Sequence, residues 1–348
     1  MTPDPAFLFL TTAHREALAG LTYSILSRKG FVVLTGDAGT GKTTLLTRIF
    51  QSVPSTRVRF SVVLNPTLTP AEFLELSLLD FGITEIPASK AQRLVLLQQF
   101  LVDTHKKGQV AVLVVDEAHK LPPDVLEEIR LLSNFELADS KLLQIVLAGQ
   151  TELCDVLNRQ DMRQLKQRVA MRLVIHPLSP IGVEHYIQHR WQKAGAKQPH
   201  PFEPEAVSRI AQFSNGIPRL VNALCDNALM LAYAEGKTII SIEHVLEVAK
   251  DLDLRAGPVR TLRTVQAIPQ APGSPKRPSV RAQPNGAGAA SNADGNGAGN
   301  QAAPSSAAVP SFAHNSAKPS RLMRIMGKLR PSAKPDKQEP QTKIEAWK

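Results

Sequence analysis

The octapeptide at positions 36–43, Gly-Asp-Ala-Gly-Thr-Gly-Lys-Thr, constrains the fold of this chain more than any other segment. It fits the pattern Gly-x-x-x-x-Gly-Lys-(Ser/Thr), which joins a strand to a helix and wraps around phosphate groups. An apolar run at 31–35 precedes the octapeptide, and a helical stretch at 45–53 follows it. The sequence therefore predicts a phosphate-binding loop, or P-loop, within a strand–loop–helix unit.

The residue types in this loop suit a nucleoside triphosphate. Glycines let backbone N–H groups turn inward around the phosphates, and the N-terminus of the following helix adds partial positive charge. Lys42 is expected to reach the β and γ phosphates, Thr43 to bind Mg²⁺, and Thr44 to lie near the α or β phosphate. The predicted cofactors are therefore ATP and Mg²⁺.

A second motif is an apolar run at 111–115 that ends in two carboxylates, Asp116 and Glu117. In this Walker B pattern Asp116 holds the hydrated Mg²⁺, so Thr43 and Asp116 are the predicted metal site. Glu117 can polarise the water that attacks the γ phosphate, and its presence predicts a hydrolase rather than a nucleotide sensor. The predicted nucleotide-binding residues, all within these two motifs or next to them, are Gly36, Asp37, Ala38, Gly39, Thr40, Gly41, Lys42, Thr43, Thr44 and Asp116.

Residues 116–119, Asp-Glu-Ala-His, also spell the name of a helicase group. A helicase of that kind needs a second α/β domain with its own arginine motifs, and the sequence after Pro177 favours helices only. His119 is therefore interpreted as a local hydrogen-bonding residue at the start of a helix.

Short apolar runs alternate with helical stretches over the first half of the chain. The predicted strands are 31–35, 58–63, 110–115, 142–148 and 171–175, and the predicted helices are 13–27, 45–53, 90–107 and 125–133. Strands that are separated by crossover helices form a parallel sheet covered on both faces. The sequence therefore predicts an α/β P-loop NTPase fold with a parallel five-stranded sheet.

After residue 177 the pattern favours helices alone, at 182–194, 204–213, 217–234 and 241–252. Ser179 and Pro180 supply a cap and a first-turn proline for the first of these helices. We therefore predict four segments, namely an N-terminal segment with a helix (1–29), an ATP-binding α/β domain (30–177), a small helical lid (178–254) and a tail (255–348).

The predicted tail differs from the rest in composition and in charge. Residues 258–317 are rich in Gly, Ala, Pro and Asn, cannot bury enough apolar surface to fold, and are predicted to be disordered. From Arg255 onward there are 15 Lys and Arg against 4 Asp and Glu, which leaves 26 against 27 before it. The preceding residues are thus nearly neutral, and only the basic tail is a candidate for binding DNA.

Within this tail, only residues 321–330, from Arg321 to Arg330, show a regular pattern of apolar and basic residues. Their apolar and basic residues fall on different faces of a helix, which predicts contact with an anionic membrane or a partner. The alternative is a charged end without structure, because a helix this short is weak alone.

The sequence gives little indication of export. Cys154 and Cys225 are far apart and form no metal-binding pattern, no apolar run approaches the roughly 18 residues of a membrane span, and residues 1–9 lack a signal peptide's basic start. We therefore expect a cytoplasmic protein without a transmembrane helix, either free or peripheral at the inner face of the membrane.

Further motifs extend over residues 3–252. They are Pro3-Asp4-Pro5 with Phe9, His14-Arg15-Glu16-Ala17-Leu18, Gly30-Phe31-Val32-Val33-Leu34-Thr35-Gly36, Asn65-Pro66, Phe81-Gly82, Ala148-Gly149-Gln150, Gln167-Arg168-Val169, Pro177-Leu178-Ser179 and Gly216-Ile217-Pro218-Arg219. With these motifs the chain resembles the AAA+ ATPases of the ExeA type, also called general secretion pathway protein A. It is more distantly similar to transposition ATPases of the TniB type.

The resemblance implies roles for three more residues. Gln150 ends the fourth predicted strand, where such ATPases place a sensor 1 residue, and Arg219 matches sensor 2, which clamps the phosphates from the lid. Arg168 matches the arginine finger that completes a neighbouring subunit's site, although Arg163 and Arg172 compete for that role. Together with Lys42 and Glu117, these three complete the predicted catalytic set.

The resemblance also implies a head-to-tail homo-oligomer in which ATP turnover remodels or assembles a partner complex, in secretion or at the envelope. Secretion members typically continue into a transmembrane helix and a periplasmic peptidoglycan-binding domain, and neither is readable in this sequence. The alternative function is a nucleotide-switched adaptor of the TniB type that binds DNA or a transposase and hydrolyses ATP slowly.

Overall fold

The predicted strands pair into one parallel sheet in the computed structural model, which describes residues 9–64, 67–138 and 140–257. The strand order is β2-β3-β4-β1-β5, and every neighbouring pair is parallel. The prediction of a parallel five-stranded sheet is confirmed. The strands are β1 (Phe31–Gly36), β2 (Val58–Val63), β3 (Val110–Val115), β4 (Leu143–Gly149) and β5 (Val169–Ile175).

The register brings the carboxyl ends of the strands to one edge of the sheet. At this edge Thr35 of β1 pairs with Gly149 of β4, and Gly36 pairs with Ile175 of β5. On the other side of β4, Val115 of β3 pairs with Leu147. The loops after β1, β3 and β4 therefore start close together, which is where ligands bind in open parallel sheets.

Helices cover both faces of the sheet, as predicted. They are α1 (Thr12–Leu26), α2 (Lys42–Ser52), α3 (Pro70–Phe81), α4 (Lys90–Lys106), α5 (Pro123–Leu132), α6 (Glu152–Asn158) and α7 (Arg163–Gln167). Two single turns of 3₁₀ helix occur at Ala118–Lys120 and Gln160–Met162.

The central strands are buried along their whole length, and their side chains alternate between two apolar clusters. In β1, Phe31 and Val33 pack into the cluster that includes side chains of α3 to α7, whereas Val32 and Leu34 pack into the cluster of α1 and α2. This two-residue alternation is the pattern expected for a strand covered on both sides.

Helix α3 was not among the predicted helices, although its sequence carries a strong start signal. The Thr69 side chain accepts a hydrogen bond from the Glu72 N–H, and the Glu72 carboxylate accepts one from the Thr69 N–H. Pro70 occupies the first turn, and Gly82 ends the helix in the left-handed region at a φ of 96°. Together they form a capping box with a glycine stop.

The segment after β5 is a separate cluster of helices, namely α8 (Pro180–Lys193), α9 (Pro204–Ser214), α10 (Pro218–Ala234) and α11 (Ile242–Asp251). Their buried side chains, such as Val183, Ile210 and Leu224, form their own apolar core. These helices lie within the interval predicted for the lid.

One close backbone contact lies within the lid, between the residue that precedes α8 and the turn that precedes α10. Leu178, between β5 and α8, donates its N–H to the carbonyl of Gly216, between α9 and α10, over 2.8 Å. Gly216 has a φ of 74°, and a Cβ at this position would overlap the Leu178 backbone. Only glycine fits here, because a side chain would be strained at this φ and would also overlap the Leu178 backbone.

The predicted tail and its helix at 321–330 lie outside the described residues. Among the helices of the described part, none combines the length and the apolar character that crossing a bilayer requires.

We expect Gly216→Ala to destabilise the protein far more than Gly236→Ala. Both glycines have a positive φ, but a Cβ at Gly236 would meet nothing within 4 Å. Gly236→Ala should therefore cost about 1 kcal/mol of unfolding free energy from backbone strain alone. Gly216→Ala must also displace the Leu178 backbone, and we expect a loss of more than about 3 kcal/mol. Urea unfolding measures both losses, and equal losses would contradict the steric account.

Candidate functional site

The predicted P-loop adopts a tight turn between β1 and α2 that only its glycines permit. Gly39 and Gly41 have φ values of 80° and 101°. A Cβ on Gly36 would lie 2.5 Å from the carbonyl oxygen of Ile175. Thr40 closes the turn, because its N–H and its hydroxyl both donate to the Asp37 carbonyl, over 3.3 and 2.8 Å. Helix α2 thus begins at Lys42, three residues before the predicted start.

Lys42 is only 5% exposed, and its ammonium group lies inside the loop. It donates to the carbonyls of Gly36 and Asp37, over 2.7 and 2.9 Å. Burial lowers the pKa of Lys42, while the negative charges of Glu117 and Asp116 act in the opposite direction. A buried ammonium group is stable only with anionic or strongly polar partners, so this position suits a phosphate group.

The two predicted metal ligands are in direct contact. The Thr43 hydroxyl donates to Oδ2 of Asp116 over 2.7 Å, and Oδ1 of Asp116 accepts the Glu117 N–H over 2.9 Å. Asp116 follows β3 and is only 4% exposed. A hydroxyl and a carboxylate side by side are the hard oxygen donors that Mg²⁺ prefers, and so these residues fit the predicted ion.

Glu117 lies at the mouth of the same loop, with its backbone in the left-handed region at a φ of 53°. Its Oε2 atom is 3.2 Å from the Lys120 ammonium group and 3.7 Å from Nε2 of His119. Burial raises the pKa of Glu117, but Lys120, His119 and Gln150 outweigh it and leave the pKa below its usual value. The carboxylate is therefore ionised near neutral pH and can accept a proton.

His119 and Gln150 join the end of β4 to Glu117. The backbone N–H of Gln150 donates to Nδ1 of His119 over 3.3 Å, so the ring N–H lies on Nε2, which faces Glu117. The Gln150 side chain also contributes to the lowered pKa of Glu117. The interpretation of His119 as a local hydrogen-bonding residue agrees with these contacts. Gln150 follows β4 directly, and its role as sensor 1 stays a prediction.

Arg219 reaches the P-loop from the lid. It lies in the first turn of α10, and its N–H donates to the Gly39 carbonyl over 3.4 Å. A Cβ on Gly39 would lie 2.8 Å from the Cβ of Arg219, so the two backbones are in close contact. The charge of Arg219 also lowers the pKa of Lys42. Arg219 thus lies beside the P-loop, and its role as sensor 2 stays a prediction.

None of the three candidates for the arginine finger lies at this P-loop. Arg168 immediately precedes β5, at the edge of the sheet opposite the loop, and donates to the Ser133 hydroxyl over 2.9 Å. Arg163 begins α7, and Arg172 lies beside Val33 in mid-strand, and both are exposed. Arg168 therefore does not act in the site of its own subunit, and its role as an arginine finger for a neighbouring subunit stays a prediction.

His14 is a contact of the P-loop to which the sequence analysis gave no role. It lies in the first turn of α1, is 3% exposed, and its Nε2 is 3.1 Å from the Thr40 carbonyl oxygen. Its Nδ1 is 2.7 Å from the Thr11 hydroxyl. Burial lowers the pKa of His14, so the ring is neutral at pH 7. The segment 14–18 carried part of the resemblance, but no spacing linked it to Thr40.

The geometry agrees with the comparisons to known proteins. Residues 25–157 match the AAA domain family. This part of the chain is an AAA domain. Over 240 residues the chain is 41% identical to "General secretion pathway protein A" of Aeromonas hydrophila, a match that covers 68% of this chain and 43% of that protein. The predicted resemblance is thereby confirmed, although the chain spans less than half of that relative's length.

A more distant relative is "ATP-dependent target DNA activator B" of Escherichia phage Mu. It is 25% identical over 261 residues, which are 72% of this chain and 75% of the phage protein. Among solved structures, the Aeropyrum pernix ORC2 protein superposes with a TM-score of 0.53 at 17% identity, over 72% of each chain. Drosophila ORC bound to DNA gives 0.52 at 18% identity, over 72% of this chain and 64% of that one. These structures support the AAA fold.

The buried ring of His14 makes the stability of this AAA domain dependent on pH. The unfolded chain binds a proton at His14 near its ordinary pKa of 6.5, whereas the folded chain does so only at lower pH. Between these two pKa values the unfolded state carries more protons, so the free energy of unfolding falls as the pH is lowered below about 6.5.

We expect His14→Gln to flatten this dependence by up to about 1.4 kcal/mol per pH unit, the limit for one proton. Urea unfolding between pH 7.5 and 5 measures the slope. His185→Gln, at an exposed histidine of α8, is the matched control and should change the slope less. Equal slopes in wild type and His14→Gln would show that the pKa of His14 is the same in the folded and the unfolded chain.

Proposed function

We propose that this chain binds ATP with Mg²⁺, hydrolyses it to ADP and phosphate, and uses the turnover to remodel or assemble a partner complex. The observation that carries the proposal is the hydrogen bond between Thr43 and Asp116. It joins two motifs that are 73 residues apart in the sequence and brings both predicted metal ligands beside Lys42.

Each residue of the site has a defined part in this proposal. Thr43 and Asp116 hold Mg²⁺, which when bound neutralises charge on the phosphates. Lys42 binds the phosphate oxygens with its buried ammonium group. Glu117, ionised and at the mouth of the loop, accepts a proton from the attacking water. Gln150 orients the Glu117 carboxylate, whose pKa its side chain helps to lower.

The lid and a second subunit complete the proposed site. Arg219 contacts Gly39 from the first turn of α10, so its side chain can clamp the phosphates and transmit their presence to the lid. Arg168 lies at the opposite edge of the sheet. In a head-to-tail homo-oligomer, that edge of one subunit faces the P-loop of the next, and Arg168 supplies positive charge there. Arg163 and Arg172 are the alternatives.

The client of this ATPase is proposed from similarity alone. The Aeromonas relative is named for general secretion, which supports a protein client in a secretion or envelope assembly on the cytoplasmic side of the membrane. Contact with that membrane through the basic segment Arg321–Arg330 stays a prediction from its pattern.

The first test is the steady-state ATPase rate per protomer as a function of protein concentration. We expect the rate to rise cooperatively with concentration in wild type. Glu117→Gln should lower kcat by a factor on the order of 10² to 10⁴ while Mg-ATP still binds. Lys42→Ala should lose nucleotide binding. Arg168→Ala should lower the rate by a factor on the order of 10³.

Matched variants separate the role of the Arg168 charge from its local contact. Ser133→Ala removes the hydrogen bond that Arg168 makes within its own subunit and should leave the rate close to wild type. Arg163→Ala and Arg172→Ala should also leave the rate close to wild type. Full turnover in Lys42→Ala would refute the ATPase assignment. A rate that is independent of concentration and unchanged in Arg168→Ala would refute the shared site.

A nucleotide-switched adaptor that binds DNA or a transposase is the second candidate. It is favoured by the similarity to the phage Mu DNA activator over most of that protein, and by the basic residues concentrated after residue 254. In this case hydrolysis is slow, and ATP controls the recruitment of the partner.

The adaptor function predicts that ATP promotes DNA binding and that affinity falls steeply with salt concentration, because lysine and arginine contacts release counterions. Deletion of residues 259–348 should abolish the binding. Fluorescence anisotropy with a labelled duplex, with and without ATP, measures both effects over a salt series. DNA binding that persists unchanged after the deletion would exclude the tail as the binding element.

A further inference from the structure

A short segment before and within the first turn of α1 connects the lid to the P-loop. At one end the Phe9 ring packs against α8 of the lid. Its centroid is 5.8 Å from that of Tyr186, in an edge-to-face arrangement at 70°, and 5.3 Å from that of His189. Phe9 also packs against the apolar core of the lid. We call residues 9–14 the strap.

At the other end of the strap, His14 contacts the P-loop. Because a carbonyl oxygen can only accept, Nε2 of the neutral ring carries the proton and donates to the Thr40 carbonyl, and Nδ1 accepts from the Thr11 hydroxyl. A Cβ on Gly41 would lie 3.3 Å from the same Nε2 atom, so the ring lies against the peptide that joins Thr40 to Gly41.

This contact fixes the direction of a predicted phosphate-binding group. In a trans peptide the C=O and the N–H point in opposite directions. Because the Thr40 carbonyl points at His14, the Gly41 N–H points away from His14. Backbone N–H groups of this loop are the donors that surround phosphates. The His14 ring therefore sets the orientation of one of these donors without touching the nucleotide.

Local hydrogen bonds restrict the conformation of the strap between its two ends. The Thr11 hydroxyl accepts the His14 N–H over 3.2 Å and also bonds to the His14 ring. The Arg15 guanidinium donates to the Leu10 carbonyl over 3.0 Å. These bonds hold the residues between Phe9 and the helix in one conformation. A shift of α8 that carries Phe9 with it must therefore pull on the first turn of α1.

We propose that the strap ties the position of the lid to the shape of the P-loop, with His14 as the positioning residue and Phe9 as the attachment to the lid. The inference rests on the nucleotide binding proposed above and adds a regulatory element to it. Arg219 joins the lid to the loop at Gly39, and the strap joins the same two parts at Thr40. A change in the position of the lid then alters nucleotide affinity.

The test is the affinity of the full chain for Mg-ADP, measured by titration calorimetry. His14→Ala should weaken binding about tenfold, the equivalent of one lost hydrogen bond. His14→Gln keeps a donor near the Thr40 carbonyl and should restore the affinity to within about twofold. Phe9→Ala, far from the loop, should weaken binding about threefold, and Phe9→Tyr should not. Because both residues act through one strap, the double alanine variant should be no weaker than His14→Ala.

Tyr233→Ala is the matched control, since it removes an aromatic ring from the lid at a position that is 67% exposed and outside the strap. It should leave Mg-ADP affinity unchanged. Thermal melting of each variant confirms that it is folded. A folded Phe9→Ala with wild-type affinity, or a double variant whose loss is the product of the single losses, would overturn the proposal.

Hydrogen exchange of the nucleotide-free protein separates this proposal from the proposed function. Phe9→Ala should accelerate exchange in the peptide that contains residues 36–43, whereas Tyr233→Ala should not. Unchanged exchange in Phe9→Ala would overturn the strap even if wild type binds Mg-ADP. A wild type that does not bind Mg-ADP would refute the proposed function, while accelerated exchange would still support the link between lid and loop.

Discussion

The hydrogen bond between the Thr43 hydroxyl and the Asp116 carboxylate is the contact on which the rest of the site depends. Thr43 belongs to the helix after β1, and Asp116 follows β3, two strands that do not touch because β4 lies between them. The contact requires all three strands to be parallel and in a register that brings Thr35, Gly149 and Val115 to the same edge. One reversed strand or a slipped register would separate the two motifs. The chemistry of the site therefore depends directly on the topology and the register of the sheet.

Several unfavourable local features are concentrated at this edge of the sheet. Glu117 has a positive φ, which costs a residue other than glycine roughly 1 to 2 kcal/mol. Lys42 keeps a charged group buried against backbone carbonyls, and Asp116 is buried as well. Interactions nearby offset part of this cost, such as the Glu117 N–H bonded to the Asp116 carboxylate. An anionic ligand with a divalent cation would satisfy the remaining charge at this edge of the sheet.

The sheet and the P-loop could be predicted from the sequence because both follow from local patterns, namely buried strands and a glycine spacing. Helix α3 also carried a local signal, the capping box of Thr69 and Glu72, which apolar periodicity alone did not reveal. Other features depend on distant contacts that no local pattern records. His14 meets the loop across 26 residues of sequence, and its burial could be known only once α1 was packed on the sheet. The resemblance assigned Arg168 a role, but only the strand register shows that it lies away from its own P-loop.

Two contacts described above join the lid to the α/β domain and to the segment that precedes it. Arg219 of the lid contacts Gly39 of the P-loop, and the Phe9 ring packs on the lid from the segment that leads to the loop. By thermodynamic linkage, the free energy with which a nucleotide favours one lid position equals the free energy with which that position favours the nucleotide. A partner that binds the lid therefore changes nucleotide affinity without reaching the phosphates, provided that it prefers one lid position. In the ATPase proposed above, a client would control the ATP site through the same contacts by which the ATP site acts on the client.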